Sequence, residues 1–240
     1  THDDVQRDFG IASERVSNGV ERARFERPSA ARVSQLRRRL GLEEGEPVLV
    51  SFGGIEPRKN TLRLLDAFLA LRTQLPVRWL IVGGASILDH SAYRDAFEQR
   101  LSTCSDADKR AIVCTGVLSE HDITAAYALA SVVAAPSLRE GFGLVALEAL
   151  AASVPLVASR QPPFTEYLDD ECAFLVDPED TSAIVAALSA ALQGSPERVQ
   201  NGLACARRFA WDNVARQHES FYRSLSIASP VSVRRRSSHA

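Results

Sequence analysis

The chain has 240 residues, 45% hydrophobic and 24% charged, and its 28 basic and 30 acidic side chains leave a formal net charge of −2. This balance argues against nucleic acid as a partner, because binding to a phosphate backbone needs an excess of basic side chains. No apolar run approaches the length of a membrane span, which is about 20 residues. The cysteines and histidines are too scattered to predict a metal site, and free cysteines are typical of a reducing compartment, so a cytoplasmic location is expected.

The predicted elements begin with a linker and a lead-in helix in residues 1–45, where a basic amphipathic stretch from Ala31 to Leu40 ends at Gly41. From residue 46, apolar runs alternate with segments of helical spacing. The predicted strands are 48–52, 77–82, 111–115, 132–135, 154–158 and 173–176. The predicted helices are 61–75, 93–101, 120–130, 143–152, 164–168 and 180–192, followed by two segments that reach about residue 225. Residues 226–240 are too polar to pack and are predicted to form a disordered tail.

The strands are apolar along their whole length, which indicates a parallel sheet covered by helices on both faces. The predicted fold class is α/β, a doubly wound Rossmann-like parallel sheet of about six strands formed by residues 46–225. Ligands bind such sheets at the carboxyl edge, where strands end and helices begin. The site is therefore expected in the loops after residues 52, 82, 115 and 135.

The loop after the first strand reads Gly-Gly-Ile-Glu-Pro-Arg-Lys-Asn from Gly53 to Asn60. Gly53 and Gly54 allow a ligand to approach the backbone closely, and Arg58 and Lys59 stand just before a helix whose amino end also favours negative charge. This pattern suits a phosphate or diphosphate. A tight turn with a solvated Arg-Lys pair is the alternative that this loop alone leaves open.

The loop after the fourth strand reads Glu-Gly-Phe-Gly-Leu from Glu140 to Leu144 and runs into a helix that contains Glu148. Gly141 and Gly143 open that helix, where an anion can sit. A carboxylate among the apolar neighbours of Glu148 is costly unless it is paired or faces a cleft. Because Glu140 stays on the loop and Glu148 lies in the helix, the two glutamates are predicted to flank a phosphate held at the helix start. Carboxylates also accept hydrogen bonds well from the hydroxyls of a sugar or ribose. The structural alternative makes Glu140 a helix cap and places Glu148 in a buried ion pair.

Together the two loops resemble the C-terminal, donor-binding domain of family-4 retaining glycosyltransferases, hexosyltransferases of glycosyltransferase group 1 with the GT-B fold of two facing Rossmann-like domains. The family's two glutamates, separated by seven residues, are matched by Glu140 and Glu148, and its lysine is matched by Lys59. Gly54 stands where the family usually has an arginine, and Arg58 is expected to replace that cation. The resemblance covers about residues 10–225 and implies one half of a GT-B architecture.

The resemblance implies that Lys59 and Arg58 neutralise the diphosphate of a nucleoside-diphosphate sugar and stabilise the leaving group, while Glu140 contacts the sugar. It implies that Glu148 accepts hydrogen bonds from the ribose. The other expected donor contacts are Gly53, Gly54, Gly116, Val117, Gly141, Phe142, Gly143 and Leu144, with Gly116 and Val117 against the nucleobase. No metal and no cofactor is expected, because the donor is a substrate and enzymes of this kind are metal-independent.

In the family, the acceptor site lies in an N-terminal domain, which is expected to be missing from this chain. The chain alone is then expected to bind the donor and to transfer little or no sugar. Peripheral membrane association, common in the family, is expected through that missing domain. Two alternatives stay open, a nucleotide-sugar 2-epimerase-like enzyme and a nucleotide-sugar-binding module without catalysis. A dinucleotide dehydrogenase fits poorly, because the first loop lacks the GxGxxG pattern.

Overall fold

The computed structural model describes residues 2–10, 16–26, 28–84 and 89–228. Within them the strands are β1 (Val48–Phe52), β2 (Arg78–Val82), β3 (Ile112–Gly116), β4 (Val132–Ala135), β5 (Leu156–Ser159) and β6 (Phe174–Val176). They form one sheet in the order β3-β2-β1-β4-β5-β6, and every neighbouring pair is parallel. The predicted doubly wound α/β sheet is confirmed.

The helices of the described residues are α1 (His2–Phe9), α2 (Ala23–Glu26), α3 (Ala30–Arg39), α4 (Thr61–Arg72), α5 (Ser91–Ser102), α6 (Asp106–Ala111), α7 (Glu120–Leu129), α8 (Leu144–Ala151), α9 (Thr181–Gln193), α10 (Pro196–Arg208) and α11 (Trp211–Ala228). Single 3-10 turns span Pro57–Lys59 and Phe164–Glu166. Helix α11 extends three residues past the expected start of the tail at 226, and residues 229–240 lie outside the described part of the chain. The division of the chain at residues 45 and 225 stays a prediction.

Helices cover the sheet on both faces, as uniformly apolar strands require. Side chains of α4, α5 and α9 pack on one face, against Leu49 of β1 and Trp79 of β2. Those of α7, α8 and α10 pack on the other face with residues of β4 and β5, and α3 joins α7 against Val48 and Val50. None of the helices in the described ranges has both the length and the apolar character needed to cross a bilayer.

The chain changes direction across the sheet between β1 and β4, which positions the site. From β1 it runs outward to β2 and β3 and then returns to place β4 on the other side of β1. The helices that follow these two strands, α4 and α8, consequently lie on opposite faces. Such a switch point leaves a crevice at the carboxyl edge of the sheet, between the loops after β1 and β4.

The lead-in helix α3 is joined to α7 by the buried carboxylate of Asp122. That carboxylate lies 2.6 Å from Arg32 Nε and 3.0 Å from Arg39 Nη2. Burial raises the pKa of Asp122, but the hydrogen bonds from the two arginines outweigh this effect and hold the pKa below its usual value. Because the pKa of the folded state is the lower one, the resulting stabilisation is present at neutral pH and is lost as the pH falls through that pKa.

We expect Asp122→Asn to lower the free energy of unfolding at pH 7 by about 1 to 3 kcal/mol, since hydrogen bonds to a charged group are lost. The difference from the wild-type protein should narrow below about pH 4, where the Asp122 carboxylate is protonated first in the unfolded state and then, at still lower pH, in the folded state. Urea unfolding over a pH series measures both effects. Asp66→Asn is the control, because Asp66 pairs with Arg100 on the exposed surface. A difference that does not depend on pH would contradict this account.

Candidate active site at the carboxyl edge of the sheet

The loop after β1 folds so that Lys59 lies against its own glycines. Gly53 has a φ of +107°, and a Cβ atom added there would lie 2.5 Å from Lys59 Cε. The backbone conformation therefore favours glycine at this position, and a side chain there would also displace the end of Lys59. Gly54 is buried beside the loop after β2, where its added Cβ would lie 2.6 Å from the carbonyl oxygen of Gly84.

Asn60 joins this loop by hydrogen bonds to the loops after β4 and β6, a role that the sequence did not predict. Its buried side-chain Nδ2 donates to the carbonyl oxygens of Pro136, at 3.1 Å, and Pro178, at 2.6 Å. Its backbone has a φ of +59°, and it immediately precedes α4. An asparagine just before a helix is a recognisable cap signal, yet these acceptors lie far away in the sequence. Only the folded chain reveals them.

The two predicted cations converge on Glu140. Lys59 Nζ lies 2.5 Å from Glu140 Oε1, and Arg58 Nη1 lies 3.4 Å from Glu140 Oε2. Arg58 also donates from Nε to Glu56 Oε2 at 2.7 Å, and the Ser137 hydroxyl donates to Glu140 Oε1 at 3.0 Å. The Glu140 side chain is 6% exposed and that of Lys59 is 14% exposed. The two loops thus meet, and Glu140 is a member of an ion-pair cluster and not a helix cap.

Hydrogen bonds to backbone carbonyl oxygens hold these loops together independently of the charges. The amides of Leu138 and Arg139 donate to the carbonyl oxygen of Arg58, at 2.8 and 3.3 Å. Gln161 Nε2, in the loop after β5, donates to the carbonyl oxygens of Ser137 and Leu138, each at 2.9 Å. The positions of the charged side chains therefore rest on a scaffold built from three neighbouring loops.

Gly143 forms the amino end of α8. It has a φ of +80°, and its added Cβ would lie 2.4 Å from Cε1 of Phe164. Tyr167 Oη lies 3.0 Å from the carbonyl oxygens of both Phe142 and Gly143, and the Tyr167 ring stacks on Phe142 with ring centroids 5.3 Å apart. Burial raises the pKa of Tyr167, so its hydroxyl stays a donor. The amino end of α8 is consequently held in one orientation by buried aromatic side chains.

Glu148 lies one turn further along α8 and is half-buried. The hydroxyl of Tyr127 donates to Glu148 Oε2 at 2.7 Å. Burial raises the pKa of Glu148, while the hydrogen bond from Tyr127 and the charge of Arg24 act to lower it. No ion pair joins Glu148 to any of the described residues, so the buried ion pair of the structural alternative is not observed.

The other predicted site residues lie around this centre. Gly116 ends β3 with a φ of +66°, and Val117 beside it is 85% exposed. Leu144, the first residue of α8, is 42% exposed, and the added Cβ of Gly141 would have no neighbour within 4 Å. Gly116 and Val117 lie at the same edge of the sheet but two strands away from β1. The roles in donor binding that the resemblance implies for these residues stay predictions.

A cleft of about 560 Å³ opens beside Glu140. Its walls include the backbone and side chains around Gly141, Phe142, Tyr167 and Arg208. Among the described residues, no group of three or more His, Cys, Asp or Glu is placed to hold a metal ion. The two cations beside Glu140, the amides at the amino end of α8 and the carboxylate of Glu148 one turn further along that helix are groups suited to a ligand with both phosphate and hydroxyl groups.

Comparison with known proteins identifies relatives of this chain. It is 29% identical over 218 residues to the lipopolysaccharide core biosynthesis mannosyltransferase LpsB of Rhizobium meliloti (strain 1021), a match that covers 88% of this chain and 60% of that protein. Sucrose-phosphate synthase from Thermosynechococcus elongatus superposes with a TM-score of 0.78 at 25% identity, over 95% of this chain and 57% of that one. The chain therefore spans about three fifths of the length of these relatives.

A third match shows the same fold at lower identity. The structure of Anabaena Alr3699/HepE in complex with UDP and glucose has a TM-score of 0.78 and 22% identity, over 89% of this chain and 57% of that one. The family model described as glycosyl transferases group 1 matches residues 33–204, which is well over half of the chain. The resemblance drawn from the two loops is confirmed, and the chain belongs to the glycosyl transferases group 1 family.

Proposed function

We propose that this chain is the donor-binding half of a retaining glycosyltransferase, which transfers a hexosyl group from a nucleoside-diphosphate sugar to an acceptor. The observation that carries this proposal is the convergence of Lys59 and Arg58 on Glu140 beside the amino end of α8. The relatives support it, since LpsB is described as a mannosyltransferase and the HepE structure contains UDP and glucose.

In this proposal the donor diphosphate takes the place of Glu140 as the partner of Lys59 and Arg58. A diphosphate carries more negative charge than one carboxylate and has several acceptor oxygens, so it competes effectively for both cations. The amides of Gly143 and Leu144 add hydrogen-bond donors at the amino end of α8. When the glycosidic bond breaks, negative charge grows on the leaving nucleoside diphosphate, and these fixed groups stabilise it without a metal or cofactor. Glu140 is then released to accept hydrogen bonds from the sugar.

The proposal assigns the acceptor site to a second, N-terminal domain that faces the crevice, as in a GT-B architecture. The chain spans 60% of LpsB and 57% of the sucrose-phosphate synthase chain, which is consistent with one domain and its connecting segments. Peripheral membrane association is assigned to the same N-terminal domain, and the cytoplasm is the proposed location. The chain by itself is expected to bind the donor without appreciable transfer.

Titration calorimetry with UDP, GDP, ADP and their sugar conjugates tests this function. One nucleoside diphosphate should bind, and its affinity should fall with increasing salt, because charged contacts are screened. Failure of every nucleotide to bind would overturn the proposal. Binding without transfer by a complete two-domain relative of this chain would favour a binding module. Release of an epimerised sugar without any acceptor would favour the epimerase.

We expect Glu148→Gln to weaken donor binding by about tenfold while making the fold more stable. A neutral amide is a weaker acceptor for ribose hydroxyls than a carboxylate, and about 1.4 kcal/mol corresponds to a factor of ten. The pKa of Glu148 is raised by burial, so at neutral pH the ionised group destabilises the folded state, and an uncharged side chain removes that cost.

Calorimetry and thermal unfolding measure the two effects of Glu148→Gln. Because the folded pKa is the higher one, the destabilisation by Glu148 grows as the pH rises from about 4 through the folded pKa. The gain in stability should therefore be present at pH 7 and absent below about pH 4. A variant with unchanged affinity and lower stability would show that Glu148 has a structural role alone.

A further inference from the structure

Tyr127 belongs to no motif of the sequence, yet it is the residue that holds Glu148. Its side chain is completely buried and lies in the last turn of α7. Its ring stacks on Phe52, with centroids 4.2 Å apart and an angle of 18° between the planes. It meets the ring of Phe25 edge-on, with centroids 5.3 Å apart. Two aromatic contacts at different angles fix the ring plane, and the direction of the hydroxyl is fixed with it.

The Tyr127 hydroxyl has one good acceptor. It lies 2.7 Å from Glu148 Oε2, whereas the carbonyl oxygen of Val145 is 3.5 Å away, at the limit of a hydrogen bond. Burial and the charge of Glu148 raise the pKa of Tyr127 well above its usual value. The phenol therefore keeps its proton and acts as a donor.

Only one of the two carboxylate oxygens of Glu148 accepts this hydrogen bond, and the other remains available to a ligand. Oε2 accepts the hydrogen bond from Tyr127, and Oε1 has no hydrogen-bond partner among the residues that the structure describes. A half-buried glutamate without this donor would adopt several rotamers and would lose entropy each time a ligand selected one of them. The hydrogen bond from Tyr127 already holds Glu148 in one rotamer in the free protein, so ligand binding loses less side-chain entropy.

Tyr127 also connects Glu148 to the loop that carries the cations. Phe52, on which the Tyr127 ring stacks, is the last residue of β1 and immediately precedes Gly53. The distance between Glu148 and the start of this loop is thus set by stacked rings packed in the core. Recognition of a ligand that touches both places depends on that spacing.

We propose that Tyr127 is a positioning residue for the ribose of the donor: it holds Glu148 Oε2 so that Oε1 faces a ribose hydroxyl. This inference rests on the proposed function, because the ribose is part of the nucleoside-diphosphate sugar. The hydroxyl of Tyr127 itself does not touch the ligand. It acts through Glu148 alone, and this separates it from a residue that merely fills the core.

The variant Tyr127→Phe tests the inference, since it keeps the stacked ring and removes only the hydroxyl. The ligands are the nucleoside diphosphate that the wild-type protein binds best and its 2′-deoxy and 3′-deoxy forms. The wild-type protein should prefer the ribonucleotide to at least one deoxy form. In Y127F the affinity for the ribonucleotide should fall by about tenfold, the effect of one hydrogen bond to a charged group, and the affinity for that deoxy form by less than about twofold.

A double-mutant cycle with Glu148→Gln adds a readout that a structural role would not change. If Tyr127 acts through Glu148, adding Y127F to E148Q should lower the ribose preference by less than it does in the wild-type protein. Tyr222→Phe, at a tyrosine that is 61% exposed on α11, is the matched control and should leave all affinities unchanged. Thermal unfolding of each variant shows whether the fold is retained.

The inference is overturned if Y127F keeps the wild-type preference for ribose, or if it lowers the affinities for the ribonucleotide and the deoxy form equally. Either result leaves the proposed function intact. Failure of the wild-type protein to bind any of UDP, GDP and ADP overturns both. If Y127F does not fold, Phe52→Leu replaces it, because this variant removes the stacked ring and keeps the hydroxyl. It should lower the ribose preference, and an unchanged preference overturns the inference.

Discussion

Replacement of Lys59 by alanine should lower the affinity for a nucleoside diphosphate by roughly 100-fold. The Lys59 side chain is 14% exposed and lies against the glycine loop after β1, so in the proposed function a bound diphosphate meets it in a poorly solvated place. A charge-assisted hydrogen bond there is worth about 2 to 3 kcal/mol, which corresponds to that factor. Arg58→Ala should have a smaller effect, of about tenfold, because its side chain is 46% exposed and already shared with Glu56. Titration calorimetry measures both.

The loss of Lys59 also affects the fold, and a second substitution separates the two effects. Glu140 loses its nearest partner and keeps Arg58 and the Ser137 hydroxyl, so Lys59→Ala should reduce the free energy of unfolding by about 1 to 3 kcal/mol. The double variant Lys59→Ala, Glu140→Gln should recover stability, because the buried side chain at position 140 is then uncharged and no longer needs the lysine, but it should not recover affinity. Arg100→Ala, which breaks an exposed pair, is the control. Recovery of affinity in the double variant would show that Lys59 only supports the fold.

The largest effect on stability is expected for Gly143→Ala. A residue with a side chain in the left-handed conformation costs about 1 to 2 kcal/mol, and overpacking a buried site costs about 1 to 3 kcal/mol more. Both apply here, because φ is +80° and the added Cβ would lie 2.4 Å from the ring of Phe164, which is 1% exposed and cannot move aside. We expect a loss of about 2 to 5 kcal/mol. The amino end of α8 should also shift, which would weaken the binding of a diphosphate.

Gly41→Ala is the matched control for this variant. Gly41 has a φ of +61°, but its added Cβ would have no neighbour within 4 Å, so only the backbone strain applies. We expect a loss of about 1 to 2 kcal/mol in chemical denaturation and no change in nucleotide affinity. If the two glycine variants lost equal stability, the aromatic contact would not be what requires glycine at position 143.

The fold was predictable because its signals are local. A strand buried on both faces is apolar throughout, and the covering helices repeat their apolar residues at helical spacing. The predicted bounds of β1 and β4 agree with the structure, and the other strands differ by one or two residues. Helix α6 was missed because six residues are too few to show a period, and because it runs directly into β3. Helix α1 was missed because its stretch is charged and mixed.

The sequence by itself determined which chemical groups stand at the carboxyl edge. The strand order, which the structure shows, places β1 and β4 side by side and so brings the loops of Lys59 and Glu140 together. Only the tertiary structure decided that Lys59 pairs with Glu140 across 81 positions of sequence, or that Tyr127 holds Glu148. In the sequence Tyr127 resembles any aromatic residue of an apolar helix. Spacing along the chain determines the face and the edge on which a residue lies, whereas its hydrogen-bond partner depends on rotamers that the packing of distant segments selects.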